Sequence, residues 1–487
     1  MPGQQLIFQY QTRRNKRMAV FLTKIRRKYG EETPYIPFGP FKIRIPFIHW
    51  GIEMTEILQA MVMFVTGMGA VAVLQDVFGM PFEVALTIVC FHELTYCLHQ
   101  VFGDPLIPGW ISPAVPLMLA FLLKFGVGID RIHALIAVQL LVGVIFLIMG
   151  LTGFAKKLID IVPKAMQSGI ILGAGIAAIT GKYGFLPSGT GFYKYPFSIT
   201  LGGLFAFYLL FSKGFTQKVR SAGIGSKSIF VKIAHYGIVP GIILGIIVGW
   251  LTGEIPLPEW QSGLFFIPQV KEVFTTYSIF GAGIPPLDIW MKALPMAIVA
   301  YIVAFGDMIV GQTIVMEAQK NFRPDEIVDS NANRLNLMCA IRNFLEGSFA
   351  PTVTLAGPLW AAMTVAVAER YKLGRKAMDS IFGGSGSFNF MKFASCLILP
   401  LVCIFKPSLP VALSLTLLIQ GFACVFIAMN LVDTNAERGV AGITGGALAV
   451  AGPTTGLVVG ILLSLILLGK GCFGKKKEAP ETVASES

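Results

Sequence analysis

Apolar residues in this chain gather in runs, with polar and charged residues confined to the stretches between them. The runs fall near 57–79, 81–100, 132–154, 163–181, 197–212, 233–252, 288–312, 332–347, 389–405, 408–430, 437–451 and 454–470. The longer ones reach about 20–25 residues, enough for a helix to cross a hydrocarbon core of about 30 Å. The alternating pattern of an outer-membrane barrel is absent. Two further segments, 111–123 and 352–368, are short and irregular. Together these predict an all-α polytopic membrane protein with fourteen transmembrane segments. Residues 5–28 mix apolar and basic side chains and predict a helix lying on anionic lipid.

Composition agrees. Of 487 residues, 54% are hydrophobic and 14% charged, against about 25% charged in a soluble domain. A cytosolic enzyme, a secreted disulfide scaffold and a disordered chain are excluded. The formal net charge is +12. Its distribution points to membrane topology and not to nucleic acid. With both termini inside, 30 Lys and Arg fall in inside segments and 7 in outside loops. That bias predicts cytoplasmic N- and C-termini in the cytoplasmic membrane. The N-terminus has no signal-peptide pattern. Seven scattered Cys have neither zinc nor disulfide-framework spacing.

The halves of the chain echo each other. SPAVPLMLA (112–120) has a counterpart in TLAGPLWAA (354–362), GAVAVLQ (69–75) in GDMIVGQ (306–312), and VPKAMQSGIILGAGI (162–176) in LPVALSLTLLIQGFA (409–423). The order is kept and the offset nearly constant. Seven segments per repeat is odd, so the second repeat is inverted in the membrane, as in secondary transporters. This divides the chain into a basic segment 1–54, repeats at 55–260 and 261–470, and a tail 471–487.

The irregular segments read GDPLIPGWISPAVPLM (103–118) and GSFAPTVTLAGPL (347–359). Such backbone is tolerated in a membrane only inside protein or against a cavity. Each therefore predicts an extended stretch and a half-helix starting at mid-membrane. Two half-helix N-termini would aim free N–H groups and positive dipole ends at one place. That makes Ser112, Ala114, Val115, Thr352, Thr354, Ala356 and Gly357 the candidate substrate site, with Phe305 beside it. Trp110, Val115 and Phe305 either flank a ligand or belong to the core.

These residues carry a resemblance to the superfamily uniting nucleobase–ascorbate transporters and sulfate permeases. IPGWISPAVPLM resembles the approach to its third segment and FGD (305–307) its eighth. DSNANRLNLMCAIRNFLEGSFA (329–350) resembles the sulfate-permease stretch that ends in Gly-Ser-Phe. The resemblance covers about 55–470. It implies seven plus seven inverted segments, half-helices at segments three and ten, and a core domain (1–4, 8–11) moving against a gate domain (5–7, 12–14). By analogy it implies a homodimer through the gate. The chain departs from the pattern where nucleobase members carry glutamates: Val303 and Ala356 stand there instead, which argues against a base as substrate. Sulfate permeases usually end in a soluble STAS domain, and none is expected here.

Asp307 is a mid-span carboxylate, a functional candidate by default. With Gly311, Gln312 and Thr313 nearby it is a candidate site for a coupling Na⁺ or H⁺; its repeat equivalent is Ala70. His92 and Glu93 are candidates for a proton relay or a structural polar network, and His92 shares a helix face with His99. Their spacing with His99 is not a zinc motif. Arg342 and Glu346, four apart, are expected to pair. No catalytic set, phosphate loop or cofactor motif appears, so no enzyme is read and no cofactor beyond the coupling ion. The reading is a secondary active transporter of a small solute, with an anion favoured by the half-helices and the basic balance. A nucleobase proton symporter and an uncoupled anion channel or exchanger are the alternatives. For topology, Ser485→Cys should resist a membrane-impermeant thiol reagent in intact cells while Ser188→Cys labels. Equal labelling at the two would overturn the orientation.

Overall fold

The computed structural model describes residues 27–155, 157, 161–181, 185–186, 191–222, 228–234 and 236–473. The helix predicted at 5–28 and the tail lie almost wholly outside these. Among the described residues there are six two- or three-residue strands: β1 Glu31–Glu32, β2 Ile36–Phe38, β3 Phe41–Ile43, β4 Gly109–Trp110, β5 Glu326–Ile327 and β6 Ala356–Gly357. The helices of the first half are α1 Met54–Phe78, α2 Phe82–Val101, α3 Val115–Leu122, α4 Ile129–Thr152, α5 Lys164–Thr180, α6 Pro196–Phe211, α7 Lys213–Ala222, α8 Ile229–Ala234 and α9 Val239–Thr252. Those of the second, apart from the short turns Val270–Glu272 and Ile279–Ala282, are α10 Leu287–Phe322, α11 Ala332–Phe349, α12 Ala361–Lys372, α13 Ile381–Leu397, α14 Leu399–Phe405, α15 Leu409–Asn430, α16 Asn435–Ala451 and α17 Pro453–Leu463. Five helices are long and apolar enough to cross a membrane, or six if the α6–α7 pair, bent by 55°, is one span. The chain is a multi-pass helical membrane protein.

The runs found in the sequence become helices, with two instructive differences. The run 288–312 extends to Phe322, giving a helix of 36 residues. At 1.5 Å per residue that is about 54 Å, well beyond the hydrocarbon thickness. The run expected at 389–405 is instead α13, starting at Ile381, and the separate α14. The Gly- and Ser-rich start IFGGSGSFNF looks like a loop, but those small residues make room for neighbours. A Cβ on Gly386 would lie 2.5 Å from the Trp50 ring. Ser380 caps the helix by accepting from the Phe382 amide.

The halves intertwine. α4 packs along α11, α1 along α13, and α5 along both α15 and α16. Small residues let the α5–α16 pair approach closely, because a Cβ on Gly173 would sit 2.8 Å from the Gly445 carbonyl oxygen.

Residues 27–50 form an ordered clasp that the sequence reading lacked. β1 pairs in parallel with β5, and β2 with β3 in a hairpin. The Lys42 and Arg44 amides donate to the carbonyls of Phe102 and Val101 at the end of α2. The Arg44 guanidinium is fully buried, 2.6 Å from Glu32 and 3.9 Å from the centre of the Phe382 ring. Arg27 and Arg323 both bond Asp325, at 2.8 and 2.7 Å. The Thr33 and Ser380 hydroxyls donate to Glu326. Three loops, after α2, α10 and α12, are tied together this way.

Burial alone would raise the Asp325 carboxyl, but hydrogen bonds from Arg323 and Arg27 outweigh it and hold it at about 2. The group is depressed below its unfolded value of about 4, so its stabilisation is complete above that value and lost as pH falls through the folded one. Thermal melts should show Asp325→Asn less stable than wild type by about 2 kcal/mol above about pH 4, with the gap closing towards about pH 2. A gap that does not change with pH would remove the ion pair as its cause.

Candidate functional site

The chain twice leaves its helices for an extended path inside the bundle. β4 and β6 meet antiparallel there, Gly109 opposite Gly357 and Trp110 opposite Ala356. Backbone bonds extend the contact: the Ile111 amide donates to the Thr354 carbonyl (3.2 Å) and the Trp360 amide to Ile107 (2.7 Å). Each strand leads into a short helix. One is a 3₁₀ turn Ser112–Ala114 followed by α3, and the other is α12. Neither helix start has a side-chain cap. At α12 the amides of residues 361–363 precede the first intrahelical bond, from Thr364 to Trp360. At the other start Pro113 and Pro116 have no N–H and the Ala114 and Val115 amides bond Ile111 and Ser112, so only the Ser112 amide is left over.

Only glycine fits at the crossing. A Cβ on Gly357 would lie 2.5 Å from the Trp110 carbonyl, and one on Gly109 2.5 Å from the Leu359 oxygen. Side chains complete the bonding that a helix would otherwise supply. Asn343 acts as a substitute strand: its oxygen accepts from the Ala356 amide (3.0 Å) and its nitrogen donates to the Ala356 carbonyl (2.9 Å). Gln139 accepts from the Thr352 amide (2.9 Å), and Arg342 donates to the Gly357 carbonyl (2.8 Å). Leu355 sits in the left-handed region, φ 52°, a strain of about 1–3 kcal/mol that these bonds hold in place.

Behind the crossing lies a buried charged cluster. Lys392 on α13 bonds both oxygens of Glu93 at 2.6 Å. Glu346 accepts from Thr95 (2.6 Å) and Gln139 (2.9 Å) and stands 2.9 Å from His92 Nδ1. Arg342 lies 3.6 Å from Glu346, as expected of the pair, and also donates to Thr95 and His99. Tyr96 has two cations 4.5 Å from its ring centre, Arg342 and Lys392. Lys392 is also 4.9 Å from the Trp360 ring. His92 and Glu93 thus serve different pairs and do not bond each other.

The sequence-derived candidates separate into two groups. Ala114, Val115, Thr352, Thr354, Ala356, Gly357 and Phe305 are buried. The Thr352 and Thr354 hydroxyls meet each other at 3.1 Å. The second helix starts at Ala361, so residues 352–357 are a turn and the short strand β6 that approach it and not its first turn. Ser112 and Asp307 are half-buried. Asp307 has no hydrogen-bond or ion-pair partner among the described residues, and it lies within electrostatic reach of Cys424 on α15. Thr313 is exposed, and its hydroxyl returns to the Ile309 carbonyl of its own helix. Six residues on, it stands about 120° round the helix from Asp307. Gly311 is packed against Leu106 and Leu359. Missed residues include Lys392, visible as a lone cation in an apolar run, together with Asp104, Trp360 and the exposed Ala361 and Ala362. No group of three metal-ligating side chains occurs among the described residues.

No family profile and no curated protein matches the sequence. Solved structures do. SLC26A9 aligns over 85% of this chain and 65% of its own, at 14% identity and TM-score 0.51. The chain has an SLC26-type transmembrane fold. Murine Slc26a9, described as an anion transporter in the inward-facing state, aligns over 85% of this chain and 67% of its own, at 14% identity and TM-score 0.46. The transmembrane domain of BicA, a cyanobacterium bicarbonate transporter, aligns over 83% and 96%, at 14% identity and TM-score 0.49. The assignment rests on the 0.51 alignment, in which the chain spans about two thirds of the length of SLC26A9. The SLC26-type fold agrees with the sulfate-permease resemblance read from the sequence.

Gly357, a candidate substrate-site residue in the sequence, has no room for a side chain, because a Cβ there strikes the Trp110 carbonyl of the partner strand. Gly357→Ala and Gly109→Ala should each lower stability by about 1–3 kcal/mol, the usual cost of overpacking. Thermal melts in detergent check this. Wild-type melting of both variants would show that the strands are not tightly paired.

Proposed function

We propose that this chain is a secondary active transporter of a small anion across the cytoplasmic membrane, coupled to Na⁺ or H⁺. In this reading fourteen segments form two inverted repeats of seven, with half-helices at segments three and ten. The core domain moves against the gate domain, through which two copies pair. The observation that carries it is the crossing: two uncapped helix starts follow two paired strands. Open N–H groups at such starts, with their dipoles, suit a negative ligand. The fold shared with SLC26A9, whose murine form is described as an anion transporter, supports the same class.

A nucleobase symporter fits less well. Val303 and Ala356 are buried and apolar where the resemblance would put base-binding carboxylates. Asp307 argues against an uncoupled channel, because an unpaired carboxylate beside an anion path needs a cation or a proton. Binding anion and cation together lowers the desolvation cost of each, a coupling of about 1–3 kcal/mol in typical cases.

In proteoliposomes carrying Na⁺ or proton gradients, wild-type protein should accumulate an anion such as sulfate or bicarbonate. Asp307→Asn should lose accumulation and ion dependence while keeping exchange across the membrane. Accumulation by Asp307→Asn with wild-type ion dependence would overturn the role of Asp307, and no accumulation of any anion by wild type would overturn the coupled reading.

A further inference from the structure

His99 stands at the meeting point of the charged cluster and the strand crossing. It is fully buried. Its Nδ1 is 2.6 Å from the Asp104 carboxylate, and its Nε2 is 3.3 Å from Arg342 Nη1. A guanidinium has donors and no acceptor. Nε2 must therefore accept from Arg342, and the ring's single proton sits on Nδ1 and is donated to Asp104. The contacts fix one neutral tautomer.

The same Arg342 nitrogen donates to the Gly357 carbonyl at 2.8 Å. One nitrogen thus joins the His99 ring to the backbone of β6. A proton from solvent placed on Nε2 would set a second donor and a second positive charge against Arg342. That bond cannot survive. The guanidinium has an alternative place: Nη2 has no hydrogen-bond partner, and Glu346 Oε1 lies 3.6 Å away.

We propose that His99 is a proton-operated switch on the strand crossing. Neutral His99 accepts from Arg342 and keeps the Gly357 carbonyl bonded. Protonated His99 is held by Asp104 and drives Arg342 towards Glu346, and the crossing loses a donor. The charged groups facing His99 are Asp104 from the loop after α2, and Arg342 and Glu346 from α11; β6 contributes only backbone. This proton is distinct from any ion at Asp307. The inference rests on the transport reading only for its use, since the switch itself is a property of the protein without substrate.

The test is hydrogen–deuterium exchange on full-length protein in lipid nanodiscs, comparing wild type with His99→Gln at each pH. Comparison at equal pH cancels the chemical pH dependence of exchange. Glutamine can accept from Arg342 and donate to Asp104, so it keeps both bonds but does not titrate. The two proteins should match at about pH 8, and wild-type peptides covering 107–114 and 354–360 should exchange about tenfold faster than the variant at about pH 4, because the charged ring must form in a buried place beside a second cation. Equal exchange at both pH values would overturn the switch. Spectra of ¹⁵N-histidine-labelled wild type give a reading that needs no variant to fold: a neutral Nδ1–H ring becoming imidazolium as pH falls supports the switch, and a His99 ring that never changes state overturns it. Neither measurement contains substrate, so failure here leaves the transport reading standing.

Discussion

An extended chain inside an apolar bundle must find a partner for every backbone N–H and C=O without the helix that normally supplies them. The geometry at the centre of this molecule follows from that requirement. The two strands bond each other, but two residues of pairing leave groups over. Asn343, Gln139 and Arg342 supply the missing bonds from α11 and α4. These polar side chains are buried at 0% exposure and themselves need partners, which brings Glu346, Thr95 and His99 inward. The charged cluster is thus a second layer called up by the first. An unpaired polar group in such surroundings costs several kcal/mol, so the layers stand or fall together.

The broad outline was legible because it depends on composition along one dimension. Runs of apolar residues mark helices in a lipid environment with few alternatives, and the two irregular segments stood out by their Gly and Pro. The position of Asp307 was readable for the same reason, since any charge in such a run is conspicuous. Partners were not readable. Lys392 and Glu93 are 299 residues apart, and nothing local says that they meet. The start of α12 was misread because Thr and Gly in 352–357 suit a strand and a helix start equally. The clasp was missed because strands of two or three residues have no period to detect.

The clasp and the crossing solve one problem at different depths. The loop after α2 follows a helix that carries part of the charged cluster, the loop after α12 follows the helix that leaves the crossing, and the loop after α10 ends the helix that carries Asp307. Arg323 alone bonds Asp325 and the carbonyls of Tyr371, Met378 and Asp379. Buried ion pairs of this kind hold geometry more than they add stability. Here they hold the ends of α2 and α12, the helices that lead into and out of the irregular backbone, to the end of α10.

The strand pairing also has a consequence for the order of synthesis. Its bonds join distant parts of the chain, with the Ile107 amide reaching the Thr364 hydroxyl 257 residues later. While the first half is already inserted and the second is still being made, β4 has no partner. The nascent protein must spend that interval with open backbone groups in an apolar layer, held by water, by lipid headgroups or by the insertion machinery. Contacts of such long sequence separation close last. A ribosome pause or a truncation between residues 123 and 355 therefore leaves β4 in a chain that does not yet hold the strand that pairs with it.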